Sequence, residues 1–251
     1  MNMHPYTSVA VDHLMKLVNI PSPTGFTHIA AEYLLDVLRG YGFTPYKTHK
    51  GNVVCEIGGE GHPLVVAAHV DTLGAMVRSI KPNGRLRFTA IGGYPANNVE
   101  NETCVVHTRG GRTYTGTFYL TTPASHVYKG IPDIKRDDTT IEVVLDENVS
   151  TKEDVRALGI EVGDFISLDP RAFNTPSGYI KSRHLDDKAS ASVLLALAKM
   201  VSAGDLTLSR KIYLVFTVHE EVGHGCAAGL PEDAEDILSV DMGCVGDDLG
   251  C

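Results

Sequence analysis

Several features are missing from this 251-residue chain, and each absence excludes a class of function. No apolar stretch approaches the ~20 residues that cross a bilayer. Asp12, His13 and Lys16 interrupt the segment in which an export signal would have its apolar core. No cluster of Lys and Arg occurs and the net charge is -9, which argues against nucleic acid as a partner. We therefore expect a cytoplasmic protein without a membrane or nucleic-acid partner.

Cysteine is also scarce, and its spacing excludes two kinds of small scaffold. The number is odd and no C-x-x-C pair occurs, so neither a disulfide framework nor a structural zinc finger is expected. The remaining composition, with 43% hydrophobic and 21% charged residues, is ordinary for a globular protein. We interpret the cysteines as reduced thiols that lie mostly in the core: Cys55, Cys104, Cys226, Cys244 and Cys251.

Both ends of the chain show the pattern of an α/β layered domain. Apolar residues at helical spacing, such as Ala30, Leu34 and Leu38, indicate amphipathic helices. Helices are predicted over 6–19, 27–41 and 187–203, with a turn cluster at 21–25 between the first two. Short apolar runs predict buried strands at 53–57, 64–68, 211–218 and 237–240.

The middle of the chain, from about 76 to 170, is rich in β-type runs. Clusters of Gly, Pro, Asn and Asp separate runs at 86–91, 103–108, 113–119, 140–145 and 165–168. One short helix is expected over 151–158, because Thr151 can cap its first turn. We therefore predict an all-β insert, barrel or sandwich-like in form, that splits a catalytic α/β domain. The predicted boundaries are 1–73 and 174–251 for the catalytic domain and 74–173 for the insert.

Four short segments with acidic residues or histidine each end an apolar run, where a buried strand would deliver its last residue into an active-site crevice. They are residues 68–72, 185–188, 219–223 and 239–243. One histidine and three or four carboxylates form the mixed nitrogen and oxygen shell that suits two divalent cations. The conjunction of the four segments, in this order across a split domain, predicts a two-metal hydrolase site.

Each segment also has a plainer explanation when it is taken alone. Strand side chains alternate, so His69 and Asp71 share one face, and Asp71 can orient a metal-binding His69. A strand-end histidine beside a capping aspartate explains the same two residues. Asp186 and Asp187 either cap the helix that follows them or bridge two cations. Asp241, at the end of a short run, identifies nothing by itself.

The adjacent pair Glu220 and Glu221 is harder to explain by structure alone, because neighbouring carboxylates repel each other unless a cation or a proton intervenes. Two-metal hydrolases divide the work of such a pair between a metal ligand and a general base. Two similar motifs are rejected. Residues 219–224 nearly spell the zincin H-E-x-x-H, but the second histidine lies five positions after the first. The glycines of 223–229 have one residue too many for a dinucleotide loop.

With these segments in this order, the chain resembles the M42 family of cocatalytic metallo-aminopeptidases, which belong to the zinc exopeptidases of phosphorylase/hydrolase-like fold. The resemblance covers the whole chain, and it includes Gly92-Gly93 with 97–102, typical of the insert, and the segment 152–163. It implies an α/β catalytic domain with a barrel or PDZ-like insert. It also implies two divalent metal ions, zinc or cobalt, and a homo-oligomer, which is a dodecamer in this family.

The resemblance implies metal ligands at His69, Asp186, Glu221 and Asp241. His69, Asp186 and Asp241 would hold one ion. Asp186 would bridge to the second ion, which Glu221 also binds. The family's last ligand, a histidine well beyond Asp241, has no counterpart before Cys251. We therefore expect a truncated product that binds at most one ion tightly and has little activity.

The resemblance also implies two residues that assist the chemistry without binding metal. Glu220 would be the general base, and Asp71 would support His69. Two departures from the family pattern are tolerable substitutions: His219 stands where glutamine is usual, and Lys188 stands where arginine is usual.

From these residues we predict a metal-dependent aminopeptidase. It would hydrolyse the N-terminal peptide bond of short peptides with a free N-terminus, by a two-metal mechanism with a glutamate base. Two alternatives stay open. One is a related di-zinc carboxypeptidase or amide deacylase, which has similar ligands and a different insert. The other is a catalytically dead fragment that serves in assembly, which the missing ligand favours.

Overall fold

A computed structural model of the chain describes residues 5–243. The chain divides into two compact units: the first joins the part up to Thr72 to the part from Pro170 onward, and the second is Leu73–Asp169. Each unit has a hydrophobic core of its own. The predicted fold class, an α/β domain interrupted by an all-β domain, is confirmed. The sequence analysis had placed the domain boundaries after residues 73 and 173.

The helices and strands follow one another in the order that the pattern of apolar residues predicts. The helices are α1 (Pro5–Val18), α2 (His28–Gly40), α3 (Lys152–Ala157) and α4 (Leu185–Ser202). The strands are β1 (Tyr46–Lys47), β2 (Val53–Gly58), β3 (Leu64–His69), β4 (Gly74–Ile80), β5 (Leu86–Ile91), β6 (Thr103–His107), β7 (Thr113–Leu120), β8 (Ile141–Leu145), β9 (Phe165–Leu168), β10 (Phe173–Asn174), β11 (Ile180–Lys181), β12 (Ile212–Thr217) and β13 (Asp236–Ser239). The sequence analysis omitted β4 and the two-residue strands β1, β10 and β11.

The first unit is built on a five-stranded sheet in the order β1-β2-β12-β3-β13. Strands β12 and β13 both run parallel to β3, whereas β2 is antiparallel to β1 and to β12. Every residue of β12 is buried, as expected for a central strand that is covered on both faces. Parallel strands end at the same edge of a sheet, so the segments that follow β3, β12 and β13 are brought together there.

Apolar residues cover both faces of this sheet. On one face, a stripe of α2 that includes Leu34 and Leu38 packs with α4 against Val66 and Phe216. The other face carries Val65, which belongs to a second cluster with Cys226 and Leu230 packed against it. Each large aliphatic side chain buried in this way contributes about 1.5–3 kcal/mol. These layers hold the strand ends in place.

The second unit is a closed six-stranded barrel in the order β4-β5-β8-β7-β6-β9. Closure leaves no exposed sheet edge. Phe88 and Phe118 fill its core as an edge-to-face pair, with ring centroids 4.9 Å apart and an interplanar angle of 84°. The short helix α3 begins with a capping box, in which Thr151 accepts from the Asp154 backbone N–H and Asp154 accepts from the backbone N–H of Thr151. The predicted barrel is confirmed.

The cysteines of the described residues are free thiols. Cys55 and Cys104 are buried and Cys226 is half-buried. Burial raises the pKa of Cys55 to about 12, so this thiol is an unreactive part of the core. Cys244 and Cys251 lie outside the described residues. No helix within residues 5–243 is long and apolar enough to cross a membrane.

Candidate metal centre

Three strand ends meet at one edge of the first unit's sheet. Thr217 pairs with His69 in the parallel register of β12 and β3. The backbone N–H of Val240 donates to Ala67 at 2.8 Å, just beyond β13, which brings the following Asp241 level with His69. The segment after β12 turns at once into a 3₁₀ turn, Glu220–Val222. The sheet register therefore gathers residues that are far apart in sequence.

His69 is the centre of this arrangement, and its side chain is 2% exposed. Its Nδ1 lies 3.0 Å from the backbone carbonyl oxygen of Asp71 and 3.5 Å from the Asp71 carboxylate, so this nitrogen donates. The opposite nitrogen, Nε2, lies 3.0 Å from Asp186 Oδ1, 3.7 Å from Glu220 Oε2 and 4.0 Å from Asp241 Oδ1. A ring whose Nδ1–H is held in this way presents Nε2 to a ligand.

Two adjacent carboxylates at the start of α4 approach His69 from different sides. Asp186 faces the ring, as described, and its side chain is 44% exposed. Asp187 is buried, and its Oδ2 accepts the backbone N–H of His69 at 3.2 Å. Both residues have non-helical backbone angles within the first turn of α4. Three residues each offer one ligand atom within 4.8 Å of the others: His69, Asp187 and Asp241. This group could hold a metal ion.

Asp71 has no exposed side-chain surface, and it organises the start of the 3₁₀ turn. Its Oδ1 accepts the backbone N–H of Glu220 at 3.1 Å, and its Oδ2 accepts that of Glu221 at 3.3 Å. Its Oδ2 also accepts the hydroxyl of Thr24 at 2.6 Å. A cavity of about 340 Å³ opens beside these residues, and its lining includes His69, Glu220, His224 and Asp241.

The sequence matches a model of the M42 glutamyl aminopeptidase family over residues 51–251. The chain belongs to this family. M42 proteins are metallopeptidases with aminopeptidase activity, so the predicted family and enzyme class are confirmed.

Individual relatives agree with the M42 assignment. "Putative aminopeptidase YhfE" of Bacillus subtilis (strain 168) is 41% identical over 236 residues, which are 93% of this chain and 68% of that protein. The fold is similar to that of aminopeptidase APDkam598 from the archaeon Desulfurococcus kamchatkensis, with a TM-score of 0.83, 26% identity, and coverage of 98% of this chain and 66% of that one. It is also similar to the TET1 peptidase of Pyrococcus horikoshii, with a TM-score of 0.71, 25% identity, and coverage of 85% and 62%. This M42 chain therefore spans about two thirds of the length of these relatives.

The acidic groups around His69 shift one another's pKa values. Burial favours a neutral His69, but the hydrogen bond and charge of Asp71, with the charges of Asp187 and Asp186, raise the pKa of His69 to about 10. Burial raises the pKa of Asp187 to about 6. Burial and then the charge of Asp186 raise the pKa of Glu221 to about 7. A concentration of negative charge that protons must neutralise is a place where a divalent cation is stabilised.

Burial is also the main cause of a raised pKa at Glu220, to which the negative charges of Asp241, Asp71 and Asp186 add. Asp71 differs from its neighbours. Burial opposes its ionisation, but the hydrogen bonds from His69 and Thr24 lower its pKa overall. Asp71 therefore stays ionised at the back of the site, whereas Asp187, Glu220 and Glu221 hold a proton more readily than ordinary carboxylic acids.

The structure brings the residues predicted for the site into one region. Asp186, Glu220 and Asp241 lie around Nε2 of His69, and Asp71 lies behind the ring. Glu221 follows Glu220, close enough to Asp186 to be shifted by its charge.

Thr24 was not predicted from the sequence, and Asp187 was considered only together with Asp186, which was preferred as the metal ligand. The Asp186-Asp187 pair gave a signal, but a linear pattern does not distinguish which carboxylate faces the ring. Thr24 gave none, because it lies in a turn cluster 47 residues before Asp71.

Proposed function

We propose that this chain carries the metal centre of a metal-dependent aminopeptidase that hydrolyses the N-terminal peptide bond of short peptides with a free N-terminus. The observation that carries the proposal is the convergence of His69 Nε2 with carboxylates from three separate segments: Asp186, Glu220 and Asp241. Membership of the M42 family supports the reaction class. The cavity of about 340 Å³ beside the site is of a size that accepts a small ligand.

The donor set fits a divalent cation of zinc or cobalt type. Bonds from such an ion to nitrogen or oxygen are about 2.0–2.2 Å long, so two atoms bound to the same ion lie no more than about 4.4 Å apart. Asp186 Oδ1 and Asp241 Oδ1 lie 3.0 and 4.0 Å from His69 Nε2, within that limit. The Nδ1–H of His69 already has an acceptor, which leaves Nε2 to bind.

We assign His69, Asp186 and Asp241 as the residues that would hold one ion, and Asp186 and Glu221 as those that would hold a second. Asp186 is preferred to Asp187 because Asp187 already accepts the backbone N–H of His69 and is buried. Within residues 5–243 the second ion has only these two carboxylates in this assignment. We therefore propose that the chain binds one ion more tightly than the other.

Each protein group then has a defined task. Ions bound here supply Lewis acidity, which polarises the scissile carbonyl and makes a water molecule more acidic. Glu220 accepts the proton from that water and returns it to the leaving amine. Its raised pKa brings it closer to neutral pH, as suits a general base. Asp71 fixes the ring of His69 and the backbone amides of Glu220 and Glu221.

Kinetics of the Glu220→Gln variant test the assignment of the base. The chain would be assayed with a peptide of free N-terminus. We expect kcat to fall about 10²- to 10⁴-fold where the parent is active, with metal content nearly unchanged. Normal turnover by Glu220→Gln would contradict the role. N-acetylation of the substrate should abolish turnover and C-terminal amidation should not; the reverse would favour a carboxypeptidase.

Metal binding by the 1–251 chain tests the ligand assignment without any need for activity. We expect one tightly bound ion per chain, measured by titration with Zn²⁺ or Co²⁺ and by metal analysis after dialysis. Asp186→Asn should lose most of this affinity, and Asp187→Asn should lose less. Equal binding by the wild type and the His69→Ala variant would overturn the proposed centre, and a greater loss in Asp187→Asn would exchange the two aspartates.

We also propose that this protein is a homo-oligomer in the cytoplasm. The Pyrococcus horikoshii TET1 peptidase, to which the fold is similar, is described as able to assemble into a tetrahedron or a large octahedral shell. The dodecamer and the cytoplasmic location stay predictions; the free thiols of the described residues are in keeping with a reducing compartment. Light scattering that gives a monomer across micromolar concentrations would contradict the assembly.

A further inference from the structure

The carboxylate of Asp71 is shared by four groups, and one of them has no part in metal binding or catalysis as assigned above. Its Oδ2 accepts from the Thr24 hydroxyl at 2.6 Å and from the Glu221 N–H at 3.3 Å. Its Oδ1 accepts from the Glu220 N–H at 3.1 Å and lies 3.5 Å from His69 Nδ1. An ionised carboxylate has about four acceptor sites, so these four groups fill them.

Thr24 reaches Asp71 from a turn that is fastened to the segment after β3. The backbone N–H of Thr24 donates to the carbonyl of Thr72 at 3.2 Å, and the N–H of Thr72 donates to the carbonyl of Ser22 at 2.9 Å. The hydroxyl of Ser22 donates to the carbonyl of Val70 at 2.7 Å. Ser22 and Thr24 are both buried. The hydroxyl of Thr24 is therefore held in a fixed place relative to the carboxylate.

The same turn is tied to α4, which carries the two aspartates of the site. Lys188 is fully buried, and its Nζ donates at 2.7 Å to the carbonyl of Ile20, the residue just before the turn. Lys188 directly follows Asp187 in the first turns of α4. The turn and the residue before it thus have hydrogen bonds to two of the elements that supply carboxylates around His69, the segment after β3 and helix α4.

We propose that Thr24 is a positioning residue of the site. Its hydroxyl fixes the rotation of the Asp71 carboxylate, and through it the ring of His69 and the backbone amides of Glu220 and Glu221. The terminal torsion of an aspartate is broad, so packing and hydrogen bonds decide it. Without the hydroxyl, a buried carboxylate oxygen loses its shortest hydrogen bond, and the carboxylate can rotate away from the remaining donors and weaken their hydrogen bonds. The geometric part of this proposal stands without metal, and the effect on metal affinity rests on the proposed function.

Amide hydrogen exchange in the metal-free chain tests the geometric part. The variants are Thr24→Val, which removes the hydroxyl at nearly constant volume, and Thr24→Ser, which keeps it. Thr27→Val is the matched control, because Thr27 is equally buried, three residues away, and makes no side-chain cap to α2. We expect hydrogen exchange at the Glu220 and Glu221 amides to become about tenfold faster in Thr24→Val, which corresponds to about 1.4 kcal/mol less stabilisation of these hydrogen bonds. In Thr24→Ser and Thr27→Val the exchange rates should stay near those of the wild type.

Co²⁺ binding tests the consequence for the metal centre. Loss of a group that orients a ligand costs about 10- to 100-fold in metal affinity, so Thr24→Val should bind Co²⁺ that much more weakly, with an altered visible spectrum, and Thr24→Ser should restore both. Thr24→Ala replaces the valine variant if the latter does not fold. Unchanged exchange at Glu220 and Glu221 would overturn the proposal. A second outcome separates the two proposals. If exchange accelerates in Thr24→Val but the wild type and His69→Ala bind Co²⁺ equally, Thr24 keeps its positioning role and the proposed metal centre is wrong.

Discussion

Glu142 in the barrel offers a sharp test of how a buried charge is tolerated here. Its carboxylate is 1% exposed in β8 and binds Lys81 and Arg85, which flank the turn between β4 and β5. The side chains of Lys81 and Arg85 are 26% and 38% exposed, so both cations reach water. Glu142→Gln keeps the volume and removes the charge. The two cations can then be solvated, so the variant does not leave a fully buried unpaired charge.

The expected loss lies between two limits. Breaking a fully buried ion pair costs about 3–5 kcal/mol, and losing an exposed pair costs at most about 1 kcal/mol. Glu142 is buried and its two partners are partly exposed, so we expect Glu142→Gln to lower the free energy of unfolding by about 2 kcal/mol. This loss is similar to the contribution of hydrogen bonds to a charged group. The exposed Glu147, five residues along the same chain segment, provides the control variant Glu147→Gln, for which we expect no more than about 0.5 kcal/mol.

The pH dependence of this difference provides an independent check. Burial opposes the ionisation of Glu142, but Lys81 and Arg85 lower its pKa overall. A carboxylate whose pKa is lower in the folded state stabilises that state fully above the unfolded pKa, about 4.3. The stabilisation is lost as the pH falls through the folded pKa. The difference between the wild type and Glu142→Gln should therefore be complete at pH 7 and shrink below about pH 4.3.

Urea unfolding at several pH values measures these differences, and pulse-labelled hydrogen exchange assigns the transition to the barrel rather than to the α/β unit. The reasoning fails if Glu142→Gln and Glu147→Gln have the same free energy of unfolding at pH 7. It fails equally if the Glu142→Gln difference persists unchanged to pH 3.

Two further predictions concern local backbone geometry. Gly59→Ala should unfold at a markedly lower urea concentration than Gly61→Ala. Both glycines have a positive φ, 82° and 80°. At Gly59 the new Cβ would lie 1.9 Å from the Arg210 carbonyl oxygen, whereas at Gly61 no atom lies within 4 Å of it. We expect the two to differ by at least about 1–3 kcal/mol, and equal midpoints would count against the described contact. Thr151→Ala should destabilise the barrel by about 1 kcal/mol through loss of its cap on α3, measured by thermal unfolding, whereas Thr151→Ser, which keeps the bond to the Asp154 N–H, should not.

Regular periodicity accounts for what could be predicted of the fold. Helix α4 and strand β12 were predicted to within two residues of their ends, because a one-sided apolar stripe and a fully apolar run are unambiguous. Strand β4 was missed for a physical reason: its register shifts between Val77 and Ser79, and such a bulge breaks the period-two alternation that marks a strand. Strands of two residues, such as β10, are too short to show any period.

The residues of the site could be predicted only where a reactive side chain has a recognisable position in the sequence. His69, Glu220 and Asp241 were selected because reactive side chains follow apolar runs, and the parallel register does bring those ends together. Thr24 was missed, and Asp186 was preferred to Asp187, because the parts that these residues play depend on side-chain direction. A carboxylate facing a backbone amide and a hydroxyl from a distant turn leave no repeat in the sequence.

The position of β12 between β2 and β3 has a consequence for synthesis of the chain. Strands β2 and β3 are separated by only a few residues in sequence, yet neither pairs with the other. Glu220 follows Asp71 by 149 residues. At about 5–20 residues per second, a ribosome needs roughly 7–30 s to cover that distance. During this interval the barrel can complete its local pairings, whereas the edges of β2 and β3 that later pair with β12 have no partner strand. The nascent α/β unit therefore needs protection from wrong pairing during this interval.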